Sequence, residues 1–351
     1  MRKVLYKKRI KNELISLYAL ANNSKLTEFF NTNIKLENRL IFNYFNLFSA
    51  NSNENGLALL NKYFEAKNLW KLKVSDPSSP FYIKNISSIY ELNDAGYVST
   101  KKVSVILTTY NLEELVVTSI NSLLEQTHKN IELILVDDAS SDNTFFYLKK
   151  LKSAYSDQIT LIKLKKNQGT YVAKNIGLTY ASGDLITFHD ADDWAHPQRI
   201  EEHVKNHERN KKVKFSISKL VRLNESGIFY SKELYPLDRL SMVSLMIDRE
   251  LLDEIGYFRT FRIGSDTEYF ERLKLFTKYK WERIDKVLMF CAHRENSLTT
   301  NPETGIEGIA NNNKRLHYWN QWHKWHRKLK KAHKKPYVAF DRSKYEYSIE
   351  S

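Results

Sequence analysis

The sequence contains few cysteine, glycine and proline residues. Its 351 residues include one cysteine, Cys291, and only ten glycines and six prolines. A single cysteine excludes an internal disulfide framework and a paired-cysteine metal site, and it is typical of a protein from a reducing compartment. We therefore expect a cytoplasmic protein in which Cys291, within an apolar run, is a small core residue.

Long apolar runs are also missing. No stretch approaches about 18 consecutive apolar residues, which argues against a membrane-spanning helix. The N-terminal MRKVLYKKRIKNELISLYALANN has neither a continuous apolar segment nor a small-residue cleavage site, so we expect a mature cytoplasmic start. Attachment to a membrane surface stays open.

Basic residues are in excess. Lys and Arg number 55 against 41 Asp and Glu, a formal net charge of +14 with a pI near 9.4. This balance favours a negatively charged partner such as a nucleotide, a phospholipid surface or nucleic acid. At 42% hydrophobic residues the chain is globular, with room for one large domain and an appendage, or for two domains.

The first zone of the chain, residues 1–98, is predicted to be helical. Apolar residues recur at three- and four-residue spacing in RIKNELISLYAL, ENRLIFNYFNLF and NGLALLNKYFEAKNLW. SDPSSPF at 75–81 interrupts this pattern, and strand-like runs start only after STKK at 99–102. We place a domain boundary near residue 100.

Beyond that boundary, β-branched runs alternate with helical stretches. VSVILTT (103–109), IELILVD (131–137), ITLIKL (159–164) and DLITFHD (184–190) are predicted strands buried on both faces. ELVVTSINSLLEQ, NTFFYLKKLKSAY and TYVAKNIGLTYAS are the predicted helices between them. The pattern indicates an α/β fold with a mainly parallel sheet, which binds ligands at the carboxyl ends of its strands.

Every predicted strand ends in polar residues, and four such ends should meet at one crevice. TTYNLEEL after the first strand contains no glycine, so neither a dinucleotide fingerprint nor a P-loop is present to hold phosphate. A divalent cation held by carboxylates would neutralise phosphates instead. Asp190 and Asp192, two residues apart in FHDADDWAHP, suit that task, although an acidic turn after a strand is common and Ser141, Asp142 or Asn143 more readily cap a helix.

These motifs carry a resemblance to a known family. VSVILTTYNLEELVVTSINSLLEQTHKNIELILVDDASSDNT and NQGTYVAKNIGLTYASGDLITFHDADDW resemble the nucleotide-binding half of glycosyltransferase family 2, inverting enzymes of the GT-A fold. The resemblance runs from about residue 103 to 200, and more loosely to about residue 300. It implies a GT-A domain at 99–305, made of a nucleotide-binding half (99–200) and an acceptor half (201–305), before a basic aromatic helix and tail at 306–351.

The resemblance also implies roles for single residues. Thr108 and Tyr110 match positions that contact the nucleotide base, and Asp138 matches the carboxylate that reads the uracil or ribose edge. Lys174 and Asn175 fall where the family often has Arg-Asn near phosphate. Asp190 and Asp192 match the DxD signature, with Asp190 on the ribose side and Asp192 on Mg²⁺ or Mn²⁺. Asp193 stays open as a further ligand or a neighbour of the ligands.

An inverting transfer also needs a base to take the acceptor proton. Asp266 in SDTEY stands at the place of the family's catalytic acid, although Ser265 replaces the usual glutamate, and Glu268 is the second choice. The alternative for SDTE is a capping box at a helix start. His293, in KVLMFCAHRENSLTT, matches a candidate further metal ligand, and its neighbour Arg294 a diphosphate contact; a structural histidine is the alternative.

The tail at 311–335 is basic and aromatic. It has nine Lys or Arg, four His, three Trp and no acid, and Leu316, Trp319, Trp322 and Leu329 fit one helical stripe. Such a helix suits an anionic membrane surface or a charged glycan; the alternative packs the stripe against the protein itself. Nucleic acid is not expected, because no binding motif accompanies the charge.

The resemblance implies a metal-dependent inverting glycosyltransferase that uses a nucleoside diphosphate sugar, with UDP as the favoured nucleotide. The acceptor would be a glycan or lipid-linked glycan in capsule or lipopolysaccharide synthesis, with the enzyme at the inner face of the membrane. A sugar-phosphate nucleotidyltransferase and a non-catalytic scaffold are the alternatives. The role of residues 1–98, the transferred sugar and any homo-oligomer stay open.

Overall fold

The computed structural model describes residues 41–49, 53–89, 97–231, 236–295, 297–301, 305 and 313–350. The predicted helix RIKNELISLYAL lies outside the described residues. The chain divides into two compact units, one formed by residues before 91 together with 221–239, the other by 91–220 with 240–351. The domain boundaries expected from the sequence stay predictions.

The first unit begins with two helices, α1 (Ile41–Ser49) and α2 (Asn53–Ala66). Both lie where helical spacing predicts them, so the helical character of this part of the zone is confirmed. A small antiparallel sheet follows, in which β1 (Leu72–Val74) pairs with β2 (Ile86–Ser88). The sequence did not predict this sheet, because its strands have only three residues each. The rings of Phe42, Phe45 and Phe229 pack together in the core of the unit.

The bounds of the remaining elements follow in chain order. The strands are β3 (Val103–Thr109), β4 (Ile131–Asp137), β5 (Ile159–Leu164), β6 (Leu185–Asp190), β7 (Asp193–Ala195), β8 (Val213–Leu223), β9 (Phe229–Tyr230), β10 (Arg239–Leu240), β11 (Met246–Asp248), β12 (Lys280–Ala292) and β13 (Tyr347–Glu350). The helices are α3 (Val116–Leu124), α4 (Thr144–Ala154), α5 (Thr170–Leu178), α6 (Arg199–Arg209), α7 (Glu250–Ile255), α8 (Ser265–Phe276) and α9 (Asn313–Lys331).

A parallel set of strands forms the centre of the second unit. β3 pairs in parallel with both β4 and β6, and β4 pairs in parallel with β5. The four strands and three intervening helices predicted from the sequence are all present, which confirms the α/β fold with a mainly parallel centre. The sheet continues in the order β13-β5-β4-β3-β6-β11-β8-β12-β7. The parallel set is flanked by antiparallel neighbours, β13 beside β5 at one edge and β11 beside β6.

Burial explains why these segments form strands. All seven residues of β3 are buried, because helices cover both faces of the sheet. On one face, α5 approaches β3 so closely that a Cβ at Gly177 would lie 2.6 Å from Cγ2 of Ile106. Only glycine fits this helix position, and the close approach fixes α5, which carries Lys174, beside the strand ends.

The basic tail forms the predicted helix, α9, and the stripe of Leu and Trp is divided between its buried and exposed faces. Tyr318, Trp322 and His326 are buried, whereas Leu316 and Trp319 are exposed, Trp319 by 48%. The alternative in which the stripe packs against the protein is therefore wrong for Leu316 and Trp319, and the membrane or glycan contact stays a prediction. Among the described residues, no helix combines the length and apolar character that crossing a membrane requires.

Candidate active site

The register of the parallel strands brings their polar ends together. Thr108 of β3 lies opposite Asp190 of β6, and Thr109 lies opposite Asp137 of β4. Asp137 and Thr109 are buried, and Asp137 Oδ2 accepts a hydrogen bond from the Ser140 amide at 3.1 Å. Burial raises the pKa of the Asp137 carboxyl above its ordinary value. The crevice thus begins at the ends of β3, β4 and β6.

Asp138 directly follows β4 and borders the crevice. Its two carboxylate oxygens accept hydrogen bonds from the amides of Gln168 and Gly169, each at 2.7 Å. Burial raises its pKa to about 6, against the lowering effect of these amides and of the Arg262 charge. The carboxylate therefore titrates close to neutral pH while it holds the turn that starts α5.

Gly169 adopts a backbone conformation that favours glycine and lies next to Arg262. Its φ is +93°, a conformation that L side chains rarely adopt, and a Cβ there would lie 3.5 Å from Cγ of Arg262. Arg262 also reaches the carbonyl oxygen of Asn167, at 3.4 Å. The loop that carries Arg262, between α7 and α8, therefore borders the crevice on the side of Asp138.

Tyr110 and Asn111 form the rim after β3. The side chain of Tyr110 is 47% exposed, which leaves a ring face available to a ligand. Asn111 adopts a left-handed φ of 51° and its Oδ1 accepts a 2.8 Å hydrogen bond from the Ser141 amide. Thr108 is buried, with its hydroxyl 2.9 Å from that of Thr170 at the start of α5. The two candidate base contacts thus differ in access, Tyr110 being open and Thr108 shielded.

Each acid of the DxD pair is bonded to one cation. Asp190 Oδ1 lies 2.8 Å from Nζ of Lys174, and Asp192 Oδ2 lies 2.9 Å from Nε of Arg294. The side chain of Asp190 is 36% exposed and that of Asp192 17%. Burial raises the pKa of Asp192, Arg294 opposes the rise, and the charge of Asp190 adds to it. Two like charges are thus held near each other at the end of β6.

This pair fits a cation that takes most of its ligands from phosphate and water. The carboxylates supply hard oxygen donors, which Mg²⁺ and Mn²⁺ accept. Within the described parts of the chain, no group of three or more His, Cys, Asp or Glu side chains could hold a metal by itself. His293 directly follows β12, next to Arg294, and its ligation stays a prediction.

Asp193, the third acid of this segment, bonds to Cys291. It is buried in β7, where its Oδ2 accepts a hydrogen bond from Sγ of Cys291 at 3.0 Å and its carbonyl lies 3.2 Å from Nε2 of His189. Cys291 is buried, as expected from its apolar run. Both residues hold β7 against β12, the two being cross-strand neighbours.

Asn175 is also turned inward. Its Nδ2 donates to the carbonyl of Phe258 at 2.8 Å, and its Oδ1 accepts from the Phe258 amide at 2.9 Å. The side chain has no exposed surface. Asn175 therefore fixes the loop between α7 and α8, whereas its neighbour Lys174 reaches Asp190.

Asp266 lies at the same crevice, in the first turn of α8. The hydroxyl of Tyr171 lies beside the carboxylate and the backbone amide of Asp266, and both act on its ionisation. Burial raises the pKa of Tyr171 well above its ordinary value, and the charges of Asp266 and then Asp190 raise it further. One phenol therefore connects the candidate base to the acid at the end of β6. The sequence interpretation missed Tyr171; its signal was the three-residue spacing to Lys174, which places both on one face of α5.

Glu268, the second candidate base, has a different task. It has no exposed surface, and its carboxylate lies 3.0 Å from Nε of Arg272 and 2.8 Å from Nε2 of His326 on α9. The alternative interpretation of SDTE, a capping box, is not formed, since Gly264, with φ 74°, precedes the helix and no side chain caps it. A carboxylate so enclosed cannot reach an acceptor hydroxyl, so the second choice was wrong.

The comparisons with known proteins agree with this geometry. Residues 104–270 match the family model described as glycosyl transferase family 2. A glycosyltransferase of Haemophilus influenzae is 29% identical over 238 residues, covering 61% of this chain and 76% of its own. WfgD of Escherichia coli, named a UDP-Glc:α-D-GlcNAc-diphosphoundecaprenol β-1,3-glucosyltransferase, is 30% identical over 164 residues, covering 44% of this chain and 63% of its own.

Other matches are shorter or more distant. The chain spans 47% of the length of EpsE of Bacillus subtilis, whose name assigns it to the glycosyltransferases and which is 39% identical over 130 residues. The crystal structure of S. aureus TarS with UDP-GlcNAc aligns at 23% identity and a TM-score of 0.46, covering 56% of this chain and 60% of that one. Residues 104–270, which include the parallel strands and the acidic pair described above, are thus similar to glycosyl transferase family 2.

Proposed function

We propose that the protein transfers a sugar from a nucleoside diphosphate sugar, with UDP as the nucleotide, to a hydroxyl of a growing glycan. The observation that carries this proposal is the position of Tyr171, whose hydroxyl lies beside Asp266 and near Asp190. A base and an acidic pair at one crevice are the parts that an inverting transfer needs. The match of residues 104–270 to the family model and the UDP-glucose donor in the name of WfgD support the nucleotide.

The donor is bound at the ends of β3 and β4. In the proposal Tyr110 stacks on the base through its exposed ring, and Asp138 accepts hydrogen bonds from the base or ribose. Thr108 contributes at the back of the same pocket. Asn175 is left out of the ligand contacts, because its amide is occupied by Phe258.

The diphosphate lies beside Asp190, Asp192 and their cations. Asp192 would hold Mg²⁺ or Mn²⁺, with His293 as a further ligand, and Asp190 would face the ribose. A bound ion would supply charge neutralisation for the leaving diphosphate. Lys174 and Arg294 place two further positive charges at this point, since each already pairs with one of the acids.

Asp266 takes the proton in the proposed step. The acceptor oxygen attacks the anomeric carbon and forms the new C–O bond, while the bond from that carbon to the diphosphate oxygen breaks. The leaving nucleoside diphosphate keeps the electron pair, and the acceptor proton moves to the carboxylate of Asp266. Attack opposite the leaving group inverts the anomeric carbon. In the proposal, the neighbouring hydroxyl of Tyr171 orients this carboxylate.

We propose a lipid-linked or surface polysaccharide as the acceptor, and we propose that α9 brings the protein to an anionic membrane. The diphosphoundecaprenol acceptor in the name of WfgD supports the first part. The second rests on the solvent-facing side of α9, where Trp319 and Leu316 are exposed beside the cations Arg327 and Lys330. Exposed Trp and Lys or Arg on one helix suit the interface of an anionic bilayer.

Vesicle sedimentation tests the membrane contact. The full chain should sediment with phosphatidylglycerol-containing vesicles and stay in solution with pure phosphatidylcholine. Trp319→Ala combined with Arg327→Gln should weaken sedimentation, whereas Phe146→Ala, an exposed ring on α4, should not. Equal binding to both kinds of vesicle, or to neither, would count against the contact.

Product analysis tests the transfer itself. A panel of nucleotide sugars is incubated with the full chain, Mn²⁺ and glycan acceptors, and the phosphorus products are identified by ³¹P NMR. Release of a nucleoside diphosphate supports glycosyl transfer. Release of pyrophosphate from a nucleoside triphosphate and a sugar phosphate would favour a nucleotidyltransferase, and no turnover across the panel would favour a scaffold.

A further inference from the structure

One exposed aromatic ring lies close to Asp266. Phe261 is 37% exposed, and it belongs to the loop between α7 and α8. Its carbonyl oxygen accepts a hydrogen bond from the hydroxyl of Ser265 at 3.3 Å, and Ser265 directly precedes Asp266. The backbone of Phe261 is therefore held to the residue that precedes the proposed base.

The ring is held rigidly from behind. Phe261 stacks on Tyr318 of α9 with a centroid distance of 4.1 Å and an interplanar angle of 3°. The Tyr318 hydroxyl lies 3.0 Å from that of Ser265, and Tyr318 is itself buried. Arg259 lies 5.7 Å from the centre of the Tyr318 ring, on which its charge is favourable. Tyr318 thus covers one face of the Phe261 ring, and the exposed area of Phe261 lies away from that face.

The loop around Phe261 is fixed at both ends. The backbone of Phe258 is clamped by Asn175, and the ring of Phe258 packs 4.3 Å from that of Tyr269. Arg262 reaches the Asn167 carbonyl on the nucleotide side of the crevice. Phe261 consequently has a defined position, next to a residue that contacts the loop after β5.

We propose that Phe261, backed by Tyr318, is the subsite that receives a pyranose ring of the acceptor. The inference rests on the proposed function, to which it adds the chemical class of the acceptor and the residue that binds it. The C–H face of a pyranose is apolar and flat, so it removes the exposed ring of Phe261 from water when it stacks there. A sugar so placed presents its hydroxyl groups along the edge of the ring, toward Asp266. The C-terminal helix then acts in acceptor binding, because it supplies Tyr318.

Saturation-transfer NMR tests the subsite. The full chain, loaded with UDP and Mn²⁺, is titrated with the methyl β-glycosides of glucose, galactose and N-acetylglucosamine, and aromatic protons are irradiated. Wild-type protein and Phe261→Tyr should transfer saturation to the sugar C–H protons of at least one glycoside. Phe261→Ala should weaken binding of that glycoside about tenfold, the loss of one stacking contact. Phe146→Ala, a matched exposed phenylalanine on α4, should behave as wild type.

Two outcomes would overturn the subsite. One is an equal signal from wild-type protein and Phe261→Ala; the other is no signal from wild-type protein with any of the three glycosides. UDP binding, recorded in the same samples, separates this inference from the proposed function. A chain that binds UDP without a Phe261-dependent sugar signal overturns only the subsite, whereas a chain that binds no UDP contradicts the donor site.

Discussion

The hydroxyl of Tyr171 lies beside the carboxylate of Asp266, although the two are 95 positions apart along the chain. Tyr171 stands on α5, which the parallel sheet positions, and Asp266 stands on α8. The charge of Asp190 also acts on this phenol. The contact therefore joins the donor side of the crevice to the residue that we propose as the base.

Removing the phenol hydroxyl should slow turnover. Tyr171→Phe keeps the buried ring and deletes only the group that orients Asp266, so we expect kcat to fall by about tenfold or more with the Kd for UDP unchanged. Steady-state kinetics and calorimetry measure the two quantities. A variant with wild-type kcat would contradict the positioning role, and a variant that also loses UDP would assign Tyr171 to donor binding.

The ionisation of Asp138 should control nucleotide affinity. Its pKa is raised by burial to about 6, so the carboxylate is ionised above that pH and protonated below it. Since the ionised form accepts hydrogen bonds, UDP affinity should be lost as the pH falls through about 6. Calorimetric titrations from pH 5 to pH 8 measure it, and Asp138→Asn removes the dependence while it leaves the titration of UDP itself. Equal pH profiles for both proteins would contradict the assignment.

Variants at Glu268 and Asp266 should distinguish a residue needed for stability from a residue needed for catalysis. Arg272→Ala leaves the buried carboxylate of Glu268 without its main partner, which we expect to cost about 3–5 kcal/mol of unfolding free energy. Glu268→Gln should likewise lower stability but, where the protein stays folded, keep turnover. Asp266→Asn should keep stability and lose turnover. Urea denaturation and transfer assays on the three variants measure both effects, and turnover lost in folded Glu268→Gln would restore Glu268 as a base candidate.

The sequence was most informative where a pattern is local. The four strands of the parallel centre and their helices follow from runs of buried residues, and the acids 138, 190 and 192 follow from strand ends. The sequence did not show which residues far apart in the chain contact each other. Nothing local to SDTEY indicates that Glu268 pairs with His326 across 58 residues, so its carboxylate looked available.

The same limit applies to α9 and to Asn175. The spacing of Leu and Trp does not show which face of the helix packs, and the packed face includes His326 because a buried carboxylate on α8 accepts its hydrogen bond. Asn175 follows Lys174 in the sequence, yet adjacent helix residues point about 100° apart, so that Lys174 reaches Asp190 while Asn175 bonds to Phe258. Packing between elements, which sequence spacing does not encode, decides both cases.

Calorimetric titration of UDP with Mn²⁺, followed by transfer assays on the same samples, tests the central claim most directly. Asp192→Asn should lose the Mn²⁺-dependent part of UDP binding together with transfer, whereas Asp266→Asn should bind UDP with wild-type affinity and transfer no sugar. Full transfer activity in either variant, or Mn²⁺-dependent UDP binding that survives in Asp192→Asn, would contradict the account.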